Sequence, residues 1–210
     1  MTRAKKTIRP KNLKAGIEVY LEKDWPKDFH CKRYRELRES VANGVDMQSW
    51  AYLLDLLWEW KAIRPQKKKD VGRSGAKRLA RIDRARRRIL KASGKDYPTL
   101  ADVSWNDVKG LFAVAMEVKK TKNDSPVLAS KLCHFLLPGC FPVVDNDAVK
   151  IGRDSYEDFW RASKKDWAAC RTKRKLRTIL TKAMKGPPIA HYPWATKISE
   201  LCRMGAQARC

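Results

Sequence analysis

Ser130-Lys131-Leu132-Cys133-His134-Phe135-Leu136-Leu137-Pro138-Gly139-Cys140-Phe141-Pro142-Val143-Val144-Asp145-Asn146-Asp147-Ala148-Val149 reads as a helix, a sharp turn and the start of a second helix. Pro126 suits the first turn of a helix over 127–137, where its missing N–H would have had no intrahelical partner. Leu128, Leu132, Phe135 and Leu136 recur at helical spacing and make a broad apolar face. Pro138-Gly139 stops the helix, and Phe141-Pro142 leads the chain to Asp145, which is expected to begin a short helix. Lys131 stands on the second turn of the apolar helix. That helix rises about 1.5 Å per residue, and the seven residues of the following loop can return to its start. A lysine and a carboxylate are thereby expected to meet.

On spacing alone, two readings of that pair stay open. Lys131 can carry its ammonium out to water along its aliphatic stem. Alternatively it sits partly desolvated, where the neutral amine is available as a nucleophile. Asp145 can be a plain N-cap, or it can be the lysine's partner.

Working outward, the chain is expected to be all-α. Residues 1–28 look like a basic, partly extended entry segment, because Pro10, Gly16 and Pro26 interrupt any long helix. From about His30 the pattern is helical, through Tyr34, Leu37 and Val41, until Asn43-Gly44. Asp46 can cap an apolar helix that passes Trp50, Leu53, Leu57 and Trp58 and reaches Ile63. Residues 64–76 are expected to be a basic, glycine-containing loop, followed by a helix over about 76–92 with a narrow stripe of Leu79, Ile82, Ala85 and Ile89. Ser104 with Asp107 opens the next helix. Asp154 is expected to cap 155–169, a basic helix follows to Met184, and Trp194 to about Arg203 is the last. The expected organisation is a basic helical part over 1–95 packed on a second helical part over 96–210, together one two-lobed unit.

The net charge is the compositional outlier: 47 Lys and Arg against 23 Asp and Glu leave +24 over 210 residues. Such a charge has to be met by a polyanion or by counterions, and nucleic acid is the first partner to consider. Half of it lies between Lys61 and Lys91, where 14 Lys and Arg face 2 Asp; from 161 to 185, 10 face 1. Lys67, Lys68, Lys69, Arg73, Lys77, Arg78, Arg81, Lys173, Arg174 and Lys175 are the candidate phosphate contacts. Ser125 and Ser130, flanking the start of the apolar helix, join them. No apolar run approaches the ~20 residues of a spanning helix. The N-terminal residues show no secretory pattern. Six cysteines without a C-x-x-C pair fit reduced thiols in a cytoplasmic protein. Cys133, His134 and Cys140 lack a fourth ligand, and adjacent helical side chains diverge by about 100°. Core packing is expected for them, with no metal and no cofactor. The tryptophans, among them Trp50, Trp58, Trp60, Trp105, Trp160 and Trp167, are expected in the core.

The segment from Ser130 to Val149 resembles the core of the helix-hairpin-helix DNA glycosylases, most closely the 8-oxoguanine-glycosylase-like branch. In that superfamily a lysine opens the second helix of the hairpin, and a loop ending in Pro-Val-Asp follows the helix. Lys131, Pro142, Val143-Val144 and Asp145 match those positions, with a shorter loop between lysine and aspartate. The resemblance implies that Lys131 attacks C1′ of an extruded nucleotide to give a Schiff base, with strand cleavage after base loss. It implies that Asp145 stabilises the oxocarbenium-like sugar. Phe135, one turn after the lysine, would face the extruded base, with His134, Tyr192 and Trp194 as further pocket residues. The chain departs from the pattern at 123–130, where the hairpin's glycines are absent, and Asp147 is a rival carboxylate. The expected activity is excision of an oxidised or otherwise modified base from double-stranded DNA, by a monomer, in repair or in defence against phage with modified DNA. The alternative is a non-catalytic basic nucleic-acid-binding protein.

Overall fold

Ten α-helices make up the regular structure of the computed structural model, which describes residues 7–22, 31–63, 67–119, 126–145, 149, 155–184 and 186–208. In chain order they are α1 (Pro10–Glu22), α2 (Cys31–Ser40), α3 (Met47–Glu59), α4 (Lys68–Ala76) and α5 (Leu79–Ser93). There follow α6 (Trp105–Val118), α7 (Val127–Leu136), α8 (Tyr156–Ala168), α9 (Lys173–Ala183) and α10 (Trp194–Gln207). Three helices start on reciprocal caps: Asp46 with Ser49, Ser104 with Asp107, and Ser155 with Asp158. Each cap satisfies backbone donors that the first turn would otherwise leave open. The cap of α8 is therefore Ser155; Asp154, expected in that role, lies outside the described residues.

Two expectations are corrected. The entry segment contains a helix, α1, because Pro10 sits at its first position and not inside it. Gly16 does not break α1: a Cβ there would lie 1.8 Å from the Leu201 carbonyl oxygen, so the glycine is what lets α1 lie against α10. The supposed basic loop contains α4, whose Val71 and Gly75 are buried. A Cβ on Gly75 would meet the Trp50 ring at 1.8 Å, so this glycine too marks a close contact.

The core is arranged around two helices buried along almost their whole length. Every residue from Leu128 to Leu136 of α7 is buried, and α2, α3 and α6 pack on it. In α10, Ala195 through Cys202, Met204 and Gly205 are buried beneath α1, α8 and α9. Burying a large aliphatic side chain stabilises by about 1.5–3 kcal/mol, so these two helices are the main apolar anchors. The turn after α7 is pinned from three directions. Thr196 Oγ1 donates to the Pro138 carbonyl at 2.7 Å, Trp160 Nε1 to that of Cys140 at 2.7 Å, and the Tyr156 hydroxyl to that of Pro142 at 2.7 Å. Asp145 leaves this turn in an extended bridge, its N–H donating to the Val149 carbonyl at 3.0 Å; residues 146–148, where the helix it was expected to begin would start, lie outside the described residues. No described helix is long and apolar enough to cross a membrane.

Candidate active site

Lys131 and Asp145 meet: Lys131 Nζ lies 2.7 Å from Asp145 Oδ2, with side chains 6% and 17% exposed. α7 supplies the lysine and the pinned turn supplies the carboxylate. The seam between them is closed by Ser130, whose hydroxyl accepts the Val144 N–H at 3.3 Å. Lys131 Nζ also donates to the Trp60 carbonyl at 3.0 Å and stands 5.6 Å from the centre of that indole ring. The ammonium has not snorkelled to water. It is held in the interior by a carboxylate, a carbonyl and an aromatic face.

A second pair stands beside the first. Lys197 Nζ bonds Glu200 Oε2 at 3.0 Å, with side chains 0% and 5% exposed. The same ammonium is 5.3 Å from the ring centres of both Tyr20 and Trp60, so Trp60 joins the two lysines. Burial pushes the Glu200 carboxyl up, the Lys197 and Lys131 charges pull it down, and Asp145 pushes it up again. Two ammonium and two carboxylate groups thus form one electrostatic unit. The space bordered by Lys131, Asp145 and Glu200, with Tyr20, Trp60 and Met204, measures about 20 Å³, room for about one water molecule.

The residues expected to form a base pocket divide. Phe135, Tyr192 and Trp194 line a larger cavity that does not include Lys131 or Asp145. His134 does not line it. Its Nδ1 faces the Phe141 carbonyl at 2.6 Å, and its other ring nitrogen is bonded to the Tyr34 hydroxyl. Since a carbonyl only accepts, Nδ1 carries the proton and Nε2 accepts from Tyr34. Burial, with the nearby Lys197 charge, lowers the His134 pKa to about 3, so the ring is neutral. Among the described residues no group of His, Cys, Asp and Glu could hold a metal ion.

The expected phosphate contacts also divide. Lys67, Lys69, Arg73, Lys77, Arg174 and Lys175 are exposed. Lys68 is held 2.7 Å from Asp55 and over the ring of Trp58, and Lys173 lies over Trp167. Trp58, expected in the core, is 46% exposed, because its position on α3 faces outward beside Lys68. Arg78 and Arg81 converge on Glu117, at 3.3 and 2.6 Å. Ser130 is a correction: fully buried, with its hydroxyl also donating to the Val127 carbonyl, it presents nothing to a phosphate. Ser125 and Asp147 lie outside the described residues.

Sequence reasoning missed Lys197 and Glu200. The available signal was a lysine and a glutamate three residues apart among Ile198, Leu201 and Cys202, in a helix with too few polar positions for a solvent-facing stripe. Comparison of the chain with protein-family models, with curated proteins and with solved structures finds no match.

Proposed function

We propose that this chain is a DNA glycosylase, with abasic-site lyase activity, that excises a modified base from double-stranded DNA as a cytoplasmic monomer. The supporting observation is the Lys131–Asp145 pair at 2.7 Å, buried against Trp60 in a strongly basic chain. Glycosidic cleavage sends the bond's electron pair out on the base and leaves positive charge on the sugar. A carboxylate held in low dielectric is suited to stabilise that charge. Lys131, its proton passing to the departing base so that Asp145 stays ionised, would form the C1′–N bond. Opening of the sugar ring then gives the Schiff base, and loss of a C2′ proton forms the C2′–C3′ double bond as the C3′–O bond breaks and the 3′-phosphate leaves. The pair must part for this to happen, and the small space beside it must open, because it holds no more than a water.

A second reading draws on the same burial. An ammonium with a carboxylate and a carbonyl as acceptors, 6% exposed, also suits a structural ion pair in a non-catalytic nucleic-acid-binding protein. Borohydride trapping on duplexes that carry candidate modified bases separates the two. A covalent adduct lost in Lys131→Gln, with Asp145→Asn inactive yet still binding DNA, supports the glycosylase-lyase. Base release without an adduct leaves a water-using enzyme. Salt-sensitive binding with neither release nor adduct removes the enzyme reading.

A further inference from the structure

The cavity of about 220 Å³ shares no lining residue with the Lys131–Asp145 space, although Phe135 on its wall packs against Trp60 of the other at 4.8 Å. Its size falls just below the ~300–1,000 Å³ of drug-sized sites, which suits one ring system and a substituent. Its walls are aromatic. Tyr97 and His191 stack at 4.4 Å with planes 16° apart, and Tyr192 and Trp194 meet edge to face at 4.8 Å. His191 holds its place in a left-handed backbone conformation, φ 55°, which non-glycine residues seldom adopt. Strain of this kind persists where the surrounding structure enforces it, and it clusters at ligand sites.

Two guanidinium groups and one carboxylate are the charged groups of its lining. Arg38 lies 4.3 Å over Tyr97 and donates to the Ala190 carbonyl at 2.9 Å, which fixes the loop bearing His191. Arg86 lines the cavity with its Nε buried and without a hydrogen-bond partner among the described residues. Burial, with the nearby Arg87 charge, draws the Arg86 pKa down against the pull of Asp83. Buried donors are rarely left open in folded proteins, so an acceptor is expected there. Arg177 stands 5.6 Å over the Trp194 ring. Arg86 belongs to the basic cluster of 61–91, and Arg177, beside a ring of the cavity wall, to that of 161–185. Asp96 is the one acidic residue among its lining.

We propose that this cavity binds a nucleotide unit, its base against the Tyr97, Tyr192 and Trp194 rings and its phosphate on Arg86 and Arg38. Aromatic rings accept any base face, and a guanidinium fork matches phosphate oxygens. The unit can be a free nucleoside monophosphate or a nucleotide of a strand that both basic clusters track. The inference stands apart from the chemistry assigned to Lys131.

Isothermal titration calorimetry of the full chain tests it, with deoxynucleoside 5′-monophosphates, the matching nucleosides and a short single-stranded oligonucleotide. Monophosphates are expected to bind at least about tenfold more tightly than nucleosides, since each charge-assisted contact is worth that much or more. Arg86→Gln, folded by circular dichroism, is expected to lose about that factor. Tyr97→Ala should also weaken binding; its ring is 41% exposed, so the fold does not depend on it, and it decides alone if Arg86→Gln does not fold. An oligonucleotide that binds more tightly than the monophosphates, with the same dependence, makes the ligand a strand nucleotide. Dependence seen with monophosphates only makes it a free one. Absence of binding by both, nucleosides binding as tightly as monophosphates, or affinity unchanged in the deciding variant would overturn the proposal.

Discussion

Trp60 carries more of this interior than its side chain alone suggests. Its carbonyl takes a bond from Lys131 and its ring faces both Lys131 and Lys197. Lys197 and Glu200 are almost wholly buried, so removing one partner strands a charge, at a cost of about 3–5 kcal/mol. Lys197→Met and Glu200→Gln should each lower stability by about that much in urea titrations. The double variant Lys197→Met/Glu200→Leu should cost clearly less than their sum, because it removes both charges at once. His134 predicts a pH dependence. Its pKa falls from 6.5 unfolded to about 3 folded, so the stability it contributes is complete above pH 6.5 and is lost as pH falls toward 3. Glu200 acts in the opposite sense. Its raised carboxyl contributes stability present below the ordinary glutamate range and lost as pH rises through the raised value. The difference between wild type and His134→Gln isolates the histidine. It should shrink on acidification below pH 6.5 with a slope of up to about 1.4 kcal/mol per pH unit. At this scale Lys131 and Asp145 were legible because a turn of countable length joined them. Lys197 and Glu200 were not, since their partners, Tyr20 and Trp60, come from remote parts of the chain.

The helices that local signals announce are those with caps. Asp46 and Ser104 read as helix starts, and both are. α1 and α4 carry Pro and Gly, which locally signal a break, but Pro10 occupies a first position and the glycines serve contacts with other helices. A Cβ on Gly205 would sit 2.1 Å from the Asn12 carbonyl oxygen, the counterpart of Gly16 against Leu201 on the facing helix. The obstacle at both positions is backbone, which cannot rotate away. Gly16→Ala should therefore cost at least the ~1–3 kcal/mol of an overpacked core. Because α1 brings Tyr20 to the Lys197 ammonium, it should also disturb the buried charge cluster. Thermal unfolding reads the first effect. A wild-type midpoint in Gly16→Ala would show that α1 and α10 can separate without cost.

For the whole molecule the governing quantity is +24, distributed unevenly. If duplex DNA is the partner, log affinity should fall linearly with log salt, by ~0.9 for each phosphate neutralised. Lys69→Gln or Arg73→Gln, at exposed positions, should each weaken binding on all sequences alike and reduce that slope by about 1. Arg78 and Arg81 are engaged by Glu117, so Glu117→Gln should release them, tighten binding and steepen the slope. Fluorescence anisotropy over a salt series measures all three variants. An unaltered slope in Glu117→Gln would take Arg78 and Arg81 out of the interface. The all-α class, the net charge of +24 and the approach of Lys131 to Asp145 could be read from the chain alone, because periodicity, net charge and a seven-residue loop are local or additive properties. Tertiary packing decided the rest. It held Asp145 in a bridge with Val149, buried Lys131 instead of letting it reach water, and added a second ammonium–carboxylate pair. It also parted the aromatic cavity from the lysine. Burial and electrostatic company depend on which distant side chains close around a group, and spacing along the chain does not carry that information.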